Sequence, residues 1–184
     1  MHKRMITLAV SFVMSSSLFG QSYFPVEKGS EMTYQYTKTF SPQGDAKMVM
    51  RIKENEKTIK GQNYLEIKTT VQMSAGSNYS NSSFVRMTEE GWMVLMSESS
   101  PKEEMMMPND FSAGQTWSTS QGKVEVVDLT GSISTPGGDY SDCLVIKTSA
   151  GGGSSLSYYR KGVGLVAIGM EQGGKPALMA YLVE

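Results

Sequence analysis

Apolar and polar residues alternate along much of this chain. Leu65, Ile67, Thr69, Val71 and Met73 interleave with Glu66, Lys68, Thr70 and Gln72. Met32, Tyr34 and Tyr36 interleave with Thr33, Gln35 and Thr37, and Met48, Met50 and Ile52 with Val49, Arg51 and Lys53. A period of two places one set on a core face and the other toward water, so each segment is predicted as a strand. On that register Leu65, Ile67 and Val71 face the core, while Glu66 and Lys68 face solvent. Residues 83–88, 92–97, 123–130, 141–149, 154–160, 163–170 and 177–183 are further strand candidates. Between the segments stand turn signals such as Lys60-Gly61-Gln62-Asn63, Thr135-Pro136-Gly137-Gly138-Asp139 and Gly151-Gly152-Gly153. Roughly ten short strands at this spacing predict an all-β domain, one antiparallel curved sheet forming an open barrel or a sandwich. No stretch carries a helical stripe. Pro101 to Phe111, mixing charges, methionines and Pro108, is predicted irregular, and Gly76 to Ser83 a mobile loop or poorly packed edge.

The start of the chain breaks this pattern. His2, Lys3 and Arg4 precede an apolar run from Met5 to Met14 and a small-residue stretch from Ser15 to Gly20. That is the layout of a secretory signal peptide, with cleavage expected between Gly20 and Gln21. The expected organisation is a leader over 1–20 and a single β-rich domain over 21–184. The 164 residues of that domain suffice for a core without disulfides or metals. Loss of Lys3 and Arg4 leaves 15 basic against 18 acidic residues. A mild acidic excess without a basic stripe argues against nucleic acid. No apolar run has the length of a transmembrane helix. The expected location is therefore the periplasm or cell surface, and no cysteine follows the cleavage point to carry a lipid.

His2 is the only histidine and leaves with the leader. The mature chain then has no route to a histidine-based triad or a histidine zinc site. Cys143, the single cysteine, sits in the strand-like Asp142-Cys143-Leu144-Val145-Ile146 and reads as a small buried hydrophobe, with an intermolecular disulfide as the alternative. Twelve of the 15 methionines lie beyond the leader. Thioethers bind cuprous copper, but the consecutive Met105, Met106 and Met107 on a strand point to alternate faces and cannot converge on one ion. Methionine otherwise fills irregular cores or lines apolar pockets. The acidic pairs Glu89-Glu90, Glu103-Glu104, Asp139 with Asp142 and Glu54 with Glu56 fall in or beside turns, where carboxylates are solvated. Gly162-Val163-Gly164 lacks the helix and lysine of a phosphate loop and reads as a tight bend between strands.

Four segments together resemble one family. Tyr23-Phe24-Pro25-Val26-Glu27-Lys28-Gly29 is similar to an opening "YFPL…G" motif, and Gly114-Gln115-Thr116-Trp117 to a "G-x-x-W" element. Thr135-Pro136-Gly137-Gly138 through Cys143-Leu144 is similar to "TPAGTF-x-x-C-L", and Tyr158 to Val166 to "YYAKGVGLV". The set resembles the TapB family of exported bacterial proteins, similar to the domain-of-unknown-function 3108 type, over nearly the whole mature chain. Met32 and Arg160 depart from its pattern at packing positions. The resemblance implies a β-rich envelope protein without established enzymatic activity and supplies no catalytic residues. It also implies that Tyr23-Phe24-Pro25 docks an aromatic anchor at the first strand, that Tyr158 and Tyr159 put rings on both faces of a late strand, and that Gly162 and Gly164 let the chain turn.

The resulting expectation is a non-enzymatic exported protein that binds a hydrophobic ligand or envelope component, with no cofactor, no metal and no catalytic residue. An assembly factor contacting another envelope protein is one alternative, and a carboxylate-dependent glycan hydrolase a second. Methionine with Trp92, Trp117, Tyr158 and Tyr159 is the expected lining of a ligand cavity.

Overall fold

The computed structural model describes residues 22–24, 26–42, 46–73, 76–100, 102–172 and 175–183. The expected leader and the Gly20–Gln21 junction lie outside these residues. Among the described residues there are twelve strands and no helix. They are β1 (Glu31–Tyr36), β2 (Lys47–Ile59), β3 (Gln62–Gln72), β4 (Asn78–Met87), β5 (Gly91–Leu95), β6 (Glu104–Pro108), β7 (Thr116–Thr119), β8 (Gly122–Thr135), β9 (Gly138–Ala150), β10 (Gly153–Arg160), β11 (Gly164–Gln172) and β12 (Lys175–Leu182).

All pair antiparallel in one sheet, in the order β6-β5-β4-β3-β2-β1-β12-β11-β10-β9-β8-β7. The meander is interrupted once, where β1 takes β12 as its second neighbour: Tyr34 stands opposite Leu182 and Tyr36 opposite Ala180. This pairing joins the two ends of the chain and curls the sheet into a nearly closed barrel. Bulges supply the curvature. Register shifts occur in β2 between Ile52 and Glu56, in β8 between Val126 and Ile133, and in β10 and β11 after Tyr158 and Ile168. The turns are those the sequence marks. At the β2–β3 hairpin Lys60 (φ 52°) and Gly61 (φ 79°) both take the left-handed conformation that a two-residue primed turn requires.

The core is built by the period-two pattern. Ile52, Ile67, Val85, Trp92, Val94 and Met107 from β2 to β6 meet Val124, Val126, Leu144 and Ile146 from β8 and β9. Ile67 is buried, Leu65 packs against this cluster and Lys68 is exposed, as the register predicts. Val71 is only half-buried, because β3 and β4 run on past the core. Residues 78–83 belong to β4 and pair with β3, from Gln72–Asn78 to Ile67–Ser83. They are a polar, largely exposed strand with no partner on the β5 side among the described residues, the poorly packed edge of the two expected alternatives and not a loop.

Cys143 and Val145 on the opposite side of β9 join Tyr158, Val166 and Ala167 in a second cluster. β9 is therefore buried on both faces, and Cys143 is the fully buried hydrophobe its neighbours predict. Burial pushes its thiol up from the ordinary value, the opposite of what a reactive thiolate needs. The long β8–β9 hairpin bends back so that its tip reaches β12. A Cβ on Gly137 would lie 2.6 Å from the Leu182 carbonyl oxygen, which leaves glycine as the residue that fits. Tyr158 and Tyr159 do point to different clusters, and Gly162 and Gly164 do form the β10–β11 bend.

Two strands run through segments read as irregular or left unassigned. Glu104–Pro108 is β6, inside the stretch 101–111, and Thr116–Thr119 is β7. These two strands are the edges of the sheet. They face one another without a backbone ladder among the described residues.

Candidate functional site

The missing ladder between β6 and β7 leaves a seam in the barrel. Side chains bridge it: Glu104 Oε2 accepts from the Ser120 amide at 2.8 Å and from Ser120 Oγ at 2.9 Å. Trp92 on β5 and Trp117 on β7 flank it. Both indole N–H groups are buried, and neither has an acceptor among the described residues. A buried donor without a partner costs about 1–3 kcal/mol, so the core beside the seam is less well satisfied than elsewhere.

An open cavity of about 720 Å³ lies at one end of the seam. Trp92 and Met107 form its inner wall, with Met87, Phe111, Leu129 and Tyr23 around them. Each comes from a different element. Met87 ends β4, Phe111 lies on the β6–β7 connection, and Leu129 sits in the bulged part of β8. Tyr23 belongs to the segment before β1. Three hydrogen bonds hold these elements together. The Asn109 amide donates to the Glu90 carbonyl at 3.2 Å, and Asn109 Nδ2 to the Glu89 carbonyl at 2.8 Å. The Gly162 amide donates to the Ser22 carbonyl at 3.0 Å. Ring contacts finish the wall: Tyr23 meets Phe111 edge-on at 5.7 Å, and Phe24 meets Trp92 edge-on at 5.4 Å. The Tyr23-Phe24 anchor therefore docks its rings on β5 and the β6–β7 connection.

The rim is polar. Lys161 Nζ sits 5.5 Å from the centroid of the Tyr23 ring and makes no ion pair among the described residues. Asp110, exposed on the opposite connection, is the one acidic residue among the cavity's lining.

A second hollow, about 640 Å³, overlies the β2 bulge and is lined by Gly29, Arg51 to Lys57 and Glu66. Its charges are largely paired already: Arg51 with Glu31, Lys57 with Glu98, Lys28 with Glu56, and Glu66 accepting from Ser82. It offers little apolar surface to a guest.

The acidic pairs divide. Glu103 is not a solvated turn charge. Arg86 grips it with two bonds of 2.5 and 2.6 Å, and Tyr64 Oη donates to it at 2.6 Å. The Arg86 bond holds its carboxyl below the usual carboxylate range. This triad pins the segment before β6 over Ile59, Tyr64, Phe84 and Leu95, a small cluster separate from the main core. Glu89, Glu90, Glu54, Glu56, Asp139 and Asp142 are exposed. Among the described residues no three His, Cys, Asp or Glu side chains gather to hold a metal. No described helix is long and apolar enough to cross a membrane.

Of the residues named as a cavity lining, Trp92 lines it. Trp117, Tyr158 and Tyr159 pack in the clusters. The methionines involved are Met87 and Met107. Met87 and Leu129 carry no sequence signal, since only the topology brings them together.

No family model and no curated protein matches the chain. Two solved structures are similar to it. A Bacteroides fragilis protein, provisionally described as exported and having a YmcC-like fold, aligns with TM-score 0.55 and 14% identity over 89% of this chain and 98% of its own. A Parabacteroides distasonis protein, provisionally described as a lipoprotein, aligns with TM-score 0.44 and 14% identity over the same shares. The first likeness shows that this chain has that fold.

Proposed function

We propose that this protein is a non-enzymatic exported protein of the bacterial envelope that holds a hydrophobic ligand in the cavity at the mouth of the β6–β7 seam. The cavity carries the reading. Its volume, about 720 Å³, falls in the range of small-molecule sites, and Trp92, Met107, Phe111 and Leu129 give it an apolar interior. Methionine and aromatic walls adapt to irregular guests. The description of the Bacteroides fragilis protein as exported, together with the leader-like residues 1–20, supports the envelope. The segments Tyr23-Phe24-Pro25 and Tyr158 to Val166 support membership of the TapB or 3108-like group.

A hydrophobic fluorescent probe titrated into the native protein tests this. Saturable binding is expected, with a raised melting temperature, because a ligand that prefers the folded state stabilises it. Leu129→Trp, which fills the cavity, is expected to weaken binding. Absence of saturable binding to the folded wild type would refute the reading.

The assembly-factor alternative draws on the same seam, because β6 and β7 present unpaired backbone edges. It predicts a co-purifying protein and no retained small molecule in native mass spectrometry. Glycoside hydrolysis uses two carboxylates across a cleft, and the cavity presents Asp110 alone.

A further inference from the structure

We infer that the occupant of this cavity is a single zwitterionic amphiphile, an apolar chain bearing one phosphate and one ammonium group. This rests on the hydrophobic-ligand reading above. The cavity interior is apolar, but its rim carries one cation, Lys161, and one anion, Asp110. Neither forms an ion pair among the described residues, so both charges at this opening are available to a guest. The two unpaired charges belong to different connections, the β6–β7 loop and the β10–β11 turn, and converge on one opening. The Asn109 and Gly162 hydrogen bonds fix both connections in place. A purely anionic head would gain from Lys161 and be repelled by Asp110, and a neutral head would use neither. A head with both charges meets its complement on each side, phosphate at Lys161 and ammonium at Asp110, while its chain enters among Trp92, Met107 and Phe111.

The test is calorimetric titration of the intact chain with three twelve-carbon probes below their micelle concentrations: lysophosphatidylethanolamine, lysophosphatidylglycerol and monolauroylglycerol. The zwitterion is expected to bind roughly two- to fivefold tighter than each of the others, the worth of a solvent-exposed ion pair. Asp110→Asn should weaken the zwitterion alone. Lys161→Gln should weaken both phosphate-bearing probes and leave the glyceride unchanged. Equal affinity for all three probes, or tighter binding of the anionic one, overturns the inference and leaves the apolar site standing. Binding to phosphatidylethanolamine vesicles without binding to the monomeric probe also overturns it, because that marks a bilayer surface site. Failure of all three probes, glyceride included, overturns the hydrophobic-ligand reading with it.

Discussion

β9 and β6 are built from similar apolar residues and end in opposite states. β9 is laddered on both sides, to β8 and β10, and Cys143 to Ile146 are buried on both faces. β6 has one laddered neighbour, β5, while its other edge has no ladder to β7 among the described residues and is bridged by Glu104 to Ser120. Over Cys143–Ile146, β9 lies between two ladders and its side chains are packed on both faces. At β6 the seam leaves two indole donors unsatisfied and an open cavity beside Met107. The packed core and the candidate site therefore share residues: Trp92 and Met107 pack in one cluster with Leu144 and Ile146 and also wall the cavity. The well-satisfied strands hold the fold, and the incompletely closed ones leave room for a guest.

The largest expected effect lies on the closed side. Leu144 is fully buried, so Leu144→Ala should destabilise the fold by about 2–5 kcal/mol in urea unfolding. A cost below 1 kcal/mol would mean that β9 is not the packed centre of the barrel.

Next is the clasp that fastens the segment leading into β6. Glu103→Gln should cost about 1–3 kcal/mol, because it removes the charge that Arg86 grips in a largely buried pair. Its pH dependence has a definite sign. Arg86 lowers the folded-state carboxyl of Glu103, so the folded protein binds fewer protons there than the unfolded chain. The contribution is present above the unfolded glutamate value and is lost as pH falls through the folded one. The wild-type advantage over Glu103→Gln in unfolding midpoint should therefore be full at neutral pH and shrink below about pH 4.3. An advantage independent of pH would remove the ion pair from the account.

The seam itself should show little in global stability and much in local opening. Ser120→Ala deletes one of two exposed bonds to Glu104 and should cost under about 0.5 kcal/mol. Amides of β6 and β7 facing the seam should exchange faster than those of β9, and Ser120→Ala should accelerate them further. Uniform protection across β6, β7 and β9 would contradict the comparison. Smallest of all, the exposed Lys68→Ala should be within about 0.5 kcal/mol of wild type, against about 2–4 for its buried neighbour Ile67→Ala.

The closed side was the legible one. Strict alternation in Met48–Ile52 and Leu65–Met73 marks β2 and β3, and Lys60-Gly61 marks the turn between them. β6 escaped because Met105, Met106 and Met107 erase the alternation and Pro108 reads as a breaker, though proline is tolerated at a sheet edge. β7 escaped because four residues are too few to show a period. Val71 is only half-buried because alternation says which face a side chain takes and not how far the core extends beneath it. At the site, Trp92 and the role of methionine could be read from composition. The meeting of Met87, Phe111, Leu129 and Lys161 could not, because it depends on β8 bulging and on β1 closing against β12.

The central claim, that the seam's cavity takes an apolar guest, is tested most directly by the methyl resonances of the methionines themselves. With monolauroylglycerol titrated into methyl-labelled protein, Met87 and Met107 should shift saturably and together, while Met48 and Met179, remote from the cavity lining, stay in place. No saturable change at Met87 and Met107, or equal drift of all four, would contradict the account.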